Sequence, residues 1–185
     1  MKNLFLLFSA VFLAFFAAPC LAEVSPVPAL VSDADTAGTN LRAAPSGEVL
    51  GVLPFSTGPR IVRVLESKKG WFRVCPFPIE EYEIEGASTV PAEGWMHGSV
   101  LAFCACASED GAPWLYVSPR WNADSDITVP EDTPLRPLER KGEWLKVRTS
   151  QNGKSVERWV NEQQVCASVN DLLECQARIV KGWKK

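Results

Sequence analysis

One stretch of this chain is written twice. Arg63-Val-Leu-Glu-Ser-Lys-Lys-Gly-Trp71-Phe-Arg-Val74 returns as Arg136-Pro-Leu-Glu-Arg-Lys-Gly-Glu-Trp144-Leu-Lys-Val147, with Arg, Leu, Glu, Lys, Trp and Val matching without a gap. A looser match precedes each copy, Leu41-Arg-Ala-Ala-Pro45 and Leu115-Tyr-Val-Ser-Pro119. Another follows, Gly94-Trp95-Met96 and Arg158-Trp159-Val160. An internal repeat of this extent implies two similar structural units, so every other feature must fit a pair.

The pattern inside each copy is that of strands. Val49 to Leu53 ends at Pro54, Ile61 to Leu65 ends near Lys69-Gly70, and Trp71 to Val74 ends at Pro76. Trp95 to His97 and Val100-Leu101 close the first unit, expected over residues 33–106. The second, over 113–167, has Trp114 to Val117, Ile127 to Val129, Leu135 to Leu138, Trp144 to Val147 and Arg158 to Val160. Short runs at this spacing predict an all-β architecture. Asn152-Gly153 predicts a tight hairpin turn, because both residues tolerate positive φ. Residues 23–32, with Pro26 and Pro28, read as an extended leader. Ser168 to Ile179 is the one expected helix, a short extension with Leu172, Leu173, Ala177 and Val180 on its apolar face, and too short to persist without packing on the sheet.

Side chains alternate across a strand. Phe72 and Val74, like Leu145 and Val147, should therefore point into the core, and Trp71 with Arg73, and Trp144 with Lys146, should point out. A Trp beside a cation on an outer face is a candidate ligand platform. Packing of each Trp under a loop or against the other unit is the competing expectation. Trp95 and Trp159 are expected mainly in the core. Trp121, among Arg120, Asn122 and Asp124, is a further candidate for exposure. Between Trp71 and Trp95 the first unit carries an acidic insertion with Glu80, Glu81, Tyr82, Glu83 and Glu85, and loops of this kind often carry function. The candidate ligand-binding residues are thus Trp71, Arg73, Tyr82, Trp144, Lys146 and Trp121.

Residues 1–22 have the order of a secretory signal: Lys2, an apolar run from Leu4 to Ala18, and small residues at Cys20-Leu-Ala22. Cleavage there is expected to leave about 160 residues. It would move the formal net charge from −3 to about −4, which argues against general nucleic-acid binding and against an anionic membrane as partner. No further run is long enough to insert in a membrane. The expected location is periplasmic or extracellular.

An exported chain can keep disulfides. After loss of Cys20, the thiols of Cys75, Cys104, Cys106, Cys166 and Cys175 remain, and an odd number leaves one over. Cys166 and Cys175 flank a short connection and are the first expected pair, and Cys75 with Cys104 or Cys106 is the second. Zinc would need four soft or nitrogen ligands. Cys104-Ala-Cys106 and the single His97 do not supply them, so no metal or other cofactor is expected.

In order, Leu-Arg-x-x-Pro, two strands, Gly-Trp-Phe-x-Val and Gly-Trp-Met-His-x-x-x-Leu, residues Asn40 to Leu101 resemble the bacterial SH3 domain. Leu115 to Val165 resemble it more weakly: Arg158 replaces the Gly before the second Trp, and Tyr116 follows Leu115 where Arg is usual. The resemblance implies two tandem SH3-like, partly open barrels with a short C-terminal extension over 168–185. It implies no catalytic role, and partners such as peptidoglycan, its peptide stems or an envelope protein. Proline-peptide binding does not carry over, because most of the aromatic set that it uses is missing. Such modules are often joined to cysteine peptidases of the cell wall. Here the only dyad would be His97 with Cys104 or Cys106, with no third orienting group, and Glu80 to Glu85 offer nothing that fixes two carboxylates across a cleft. The expected function is therefore a non-catalytic envelope-binding module, with a protein-interaction or regulatory subunit as the alternative.

Overall fold

The computed structural model describes residues 25–55, 60–76, 91–107 and 111–182. The chain is all-β apart from short 3-10 turns and one C-terminal helix. The first unit contains β1 (Val27–Val31), β2 (Thr39–Arg42), β3 (Val49–Leu53), β4 (Ile61–Lys68), β5 (Trp71–Pro76) and β6 (Gly94–His97). A 3-10 turn over Gly98–Val100 leads to β7 (Leu101–Cys104). The second unit follows with β8 (Trp114–Tyr116), β9 (Ser125–Thr128), β10 (Pro134–Lys141), β11 (Trp144–Gln151) and β12 (Lys154–Asn161). A second 3-10 turn, Glu162–Gln164, precedes α1 (Val169–Gly182).

All twelve strands join one sheet in the order β3-β2-β6-β5-β4-β1-β7-β10-β11-β12-β8-β9. The order is a palindrome under the repeat. β4, β5, β6, β2 and β3 correspond to β10, β11, β12, β8 and β9, and β1 corresponds to β7. The two halves meet where β1 pairs antiparallel with β7 through Leu30 opposite Ala102 and Val31 opposite Leu101. β7 also pairs with β10, Pro134 opposite Cys104. It follows the 3-10 turn of the first unit just as Val165 follows that of the second, and Val165 bridges to Ala105 at the end of β7. One strand thus closes the first unit and opens the second.

This sharing corrects the expected boundaries. The stretch read as a leader contains β1, which lies between β4 and β7 near the middle of the sheet. Pro28 is tolerated there because β7 meets β1 only at Leu30 and Val31, so Pro28 needs no donor on that side. The junction expected after Ala107 follows a strand that belongs to both units.

The alternation argument holds. Phe72, Val74, Leu145 and Val147 are fully buried, and one apolar core runs through both halves, from Val27 and Leu41 to Leu135 and Val165. The Asn152-Gly153 turn has φ of 50° and 74°, the geometry that matches strand twist in a two-residue hairpin. Gly98 is required by close approach: a Cβ there would lie 2.6 Å from the carbonyl oxygen of Pro137 in the other half.

Arg140 fastens the halves. Its guanidinium donates to the carbonyls of Val64, Leu65 and Ser25, pairs with Glu162 at 3.0 Å, and its side chain is 2% exposed. Its backbone N–H donates to Ser67 Oγ at 2.6 Å. Ser67 and Arg140 are the same position of the repeat, so equivalent residues meet at the seam.

On the outer face of that seam lies a second, smaller core of Leu30, Ile61, Ala102 and Cys104, covered by Leu172, Cys175 and Ile179 of α1. The helix appears where expected, but its buried stripe differs: Ala177 is exposed and Leu173 only half-buried. Cysteine is the reason. Cys175 acts as the central apolar residue of an i, i+3, i+7 stripe. The expected disulfides are corrected too. The bonds are Cys104–Cys175 and Cys106–Cys166, and Cys75 is free. Cys104 and Cys106 are two residues apart, so both face the helix side of the sheet. The helix carries Cys175 away from Cys166 and sets each sulfur over a different strand position. Two disulfides fit an oxidising compartment. No helix among the described residues is long and apolar enough to cross a membrane.

Candidate functional site

The repeat positions Trp71 and Trp144 equivalently, yet their surroundings differ. Trp71 opens β5 directly opposite His97 on β6, and the two rings meet edge-to-face at 5.2 Å. Arg73, on the same face, is held by Glu66 at 2.8 Å and Glu93 at 3.1 Å. His97 Nδ1 lies 2.8 Å from Ser99 Oγ and accepts from the Ser99 N–H, a local cap on the 3-10 turn. Trp71 and its cation are therefore both engaged by neighbours. Tyr82 and the acidic insertion fall within 77–90, outside the described residues.

Trp144 instead belongs to an aromatic trio. Its ring centroid lies 5.3 Å from Tyr116 and 5.2 Å from Trp121, and Tyr116 and Trp121 are 5.9 Å apart. All three contacts are edge-to-face, with interplanar angles of 87°, 63° and 87°, the arrangement the ring quadrupoles favour. Three parts of the fold supply the rings: β8, the β8–β9 hairpin loop and β11. Tyr116 is buried at 8% exposure, Trp144 is half-buried and Trp121 stands 53% exposed. The trio thus fixes a large ring at the surface against a buried base.

The first unit lacks this trio for a reason legible in the repeat. Alignment on Leu41/Leu115 and Pro45/Pro119 sets Tyr116 against Arg42 and Trp121 against Gly47. In the first unit Arg42 donates instead to the Gly47 carbonyl at 2.7 Å, so the loop is pinned by a hydrogen bond.

More of the outer face converges on the trio. Trp159 lies directly opposite Tyr116 on one side and Lys146 on the other. It is half-buried, as is Trp95, so the expectation that both lie mainly in the core is corrected. On β6 and β12 the inward positions are taken by Met96 and Val160, which are fully buried, and strand alternation turns each Trp outward. Trp114, two residues before Tyr116, is 39% exposed. Lys146 pairs with Glu157 at 3.2 Å, and Arg148 holds the same carboxylate at 2.6 Å. These hydrogen bonds from Arg148 and then Lys146 hold the Glu157 carboxyl below its ordinary value.

Of the sequence candidates, Trp121, Trp144 and Lys146 therefore share one face, and Trp71 with Arg73 lies in the other unit. The residues missed as site members are Tyr116, Trp114 and Trp159. Their signal was strand parity with Trp144, which needs the pairing of β8 with β12 to be read.

The thiols of Cys104 and Cys106, considered with His97 as a dyad, are consumed in disulfides. The free Cys75 thiol is pushed above its ordinary value, chiefly by burial, opposite to what an activated nucleophile needs. One group among the described residues, Cys106, Cys166 and Asp171, is close enough to share an ion. Two of its three sulfur and oxygen ligands are the sulfurs of one disulfide, which lack the thiolate charge that a metal requires.

No family model matches the sequence, and no curated protein matches it. Among solved structures, NlpC2 from Trichomonas vaginalis aligns with 78% of this chain and 49% of its own, at 10% identity and a TM-score of 0.29. NlpC1 from the same organism aligns with 80% and 48%, at 13% identity and a TM-score of 0.29. The chain thus spans about half the length of those two proteins. Likeness of this degree carries no functional weight.

Proposed function

We propose that this chain is an exported, non-catalytic binding module of the cell envelope, built from two divergent bacterial SH3-like units, and that it recognises peptidoglycan or its peptide stems. The observation that carries the proposal is the preassembled trio of Tyr116, Trp121 and Trp144. Three elements converge to expose one large ring on a buried aromatic base, which offers contact area at low entropic cost. Lys146, on the same face, shares the single carboxylate of Glu157 with Arg148, so the pair of cations keeps a net positive charge beside the rings. The order of strands and 3-10 turns, together with the repeat motifs, supports the SH3-like assignment. The signal-like segment and the two disulfides support export.

The test is co-sedimentation of the oxidised protein with purified peptidoglycan under a salt titration. Saturable binding is expected, weakened about 30-fold by Trp121→Ala or Trp144→Ala, the equivalent of about 2 kcal/mol for a hot-spot aromatic. Trp71→Ala should retain it. Absence of saturable binding in the wild-type protein would sink the proposal.

A second reading, an interaction or regulatory subunit for an envelope protein, is favoured by β3. This strand ends the sheet and exposes Val49, Leu50 and Val52, with Phe55 just beyond. Its counterpart β9 carries Ser125 and Thr128 at comparable places. A pull-down from envelope extract that loses its partner in Leu50→Lys would favour this reading.

A further inference from the structure

We infer that the cleft between α1 and strands β10 to β12 is an anion-binding site, separate from the aromatic trio, that takes a phosphate or carboxylate group. The cleft is open to solvent, has a volume of about 490 Å³ and is lined by Arg136, Arg148 and Arg178 together with Thr133, Ser150 and Ser155, among others. No carboxylate is among its described lining residues. The chain as a whole is acidic, with a formal net charge of −3, so three guanidiniums gathered around one cavity run against its average.

The register sharpens the point. Arg136 lies directly opposite Arg148 on the neighbouring strand. Like charges in that position oppose each other and weaken a sheet. Glu157 answers Arg148 from the far side of β11, but it is shared with Lys146. Arg178 comes from the helix and is oriented by Asp132 at 3.2 Å and by the Glu131 carbonyl at 3.0 Å. Asp132 and Glu157 contact the arginines from outside the lining. A guanidinium presents a planar fork of donors matched to oxyanions, and three such forks with hydroxyls beside them make a site for one.

The staple gives this cleft its fixed shape. Arg178 lies within one turn of Cys175, which is bonded to Cys104 beside β10. Arg136 and Arg148 stand on paired strands. The three cations therefore stand on elements that cannot drift apart, and Glu157 and Asp132 orient two of their side chains. Ser150 and Ser155 also face each other across the β11–β12 hairpin and add donors at the end of the cleft.

The experiment is isothermal titration of the oxidised protein with pyrophosphate and with citrate, repeated with a glycerol-phosphate polymer and a uronic-acid polymer. At least one arm should bind, more weakly as salt rises, and Arg136→Gln and Arg148→Gln should each weaken it tenfold or more. A phosphate-only or carboxylate-only result identifies the source of the anion. Trp121→Ala should bind the same probe unchanged, which separates this site from the aromatic one. Thermal unfolding checks that each variant folds, with Arg178→Gln replacing any that does not. Failure of every arm in the wild-type protein, or undiminished binding in the arginine variants, overturns the inference.

Discussion

The two disulfides are nested, and nesting makes their contributions unequal to the sum of parts. Cys106–Cys166 closes a separation of 60 residues, and Cys104–Cys175 one of 71. In the chain-entropy treatment either bond alone restrains the unfolded chain by about 4 kcal/mol. With one already formed, the other closes only a small ring, the two-residue step from Cys104 to Cys106 and the nine-residue step from Cys166 to Cys175. A ring of about eleven residues is worth about 2.8 kcal/mol. Removing either pair by alanine substitution should therefore cost about 2.8 kcal/mol, and removing both about 7 kcal/mol. The excess of about 1.5 kcal/mol over additivity is the signature of nesting. Loss of buried sulfur adds to each variant and cancels in the cycle. Urea denaturation in a Cys75→Ser background measures all four proteins. Additivity within about 0.5 kcal/mol would refute the nested arrangement, and so would a non-reducing peptide map that links Cys166 to Cys175.

Arg140→Ala should cost about 3 kcal/mol, because it strips the buried Val64 carbonyl and the part-buried carbonyls of Leu65 and Ser25 of this donor and leaves Glu162 without its partner. Ser67→Ala, which removes one hydroxyl from the same seam, should cost about 1 kcal/mol by the same urea assay. Glu162 provides a pH test. Burial, with the nearby Glu143 carboxylate adding to it, raises its carboxyl above the ordinary value against the attraction of Arg140. The folded value exceeds the unfolded one, so the linked stability is full below the unfolded value and lost as pH rises through the folded value. Urea midpoints should fall across the range just above the ordinary carboxylate value, and Glu162→Gln should flatten that slope. An identical slope in the variant would show that another group titrates.

Much of the architecture was legible because it is local. Strand positions follow from β-branched and aromatic runs between turn residues, and the inward set of Phe72, Val74, Leu145 and Val147 follows from a two-residue period. The Asn152-Gly153 turn is a property of two residues. The candidate site was half legible. Outward placement of Trp144 and Lys146 came from parity, but Trp71, its repeat partner, has the same parity and a different fate. What divides them is whether position 42 or 116, and position 47 or 121, carries an aromatic ring. Those residues are distant in sequence from the tryptophans and become neighbours only when β2 pairs with β6 and β8 with β12.

The repeat, the runs that become strands and the side chains that turn inward were legible in the sequence by itself, the first from a direct match between the copies and the other two from residues a few positions apart. Only the tertiary structure decided that β7 serves both halves of the sheet, that the proline-containing stretch before β2 is an inner strand, and that Cys166 and Cys175 pair with Cys106 and Cys104 rather than with each other. Those outcomes depend on which surfaces meet. Antiparallel pairing of β1 with β7 brought equivalent positions face to face, and no local pattern records a partner that lies across a seam.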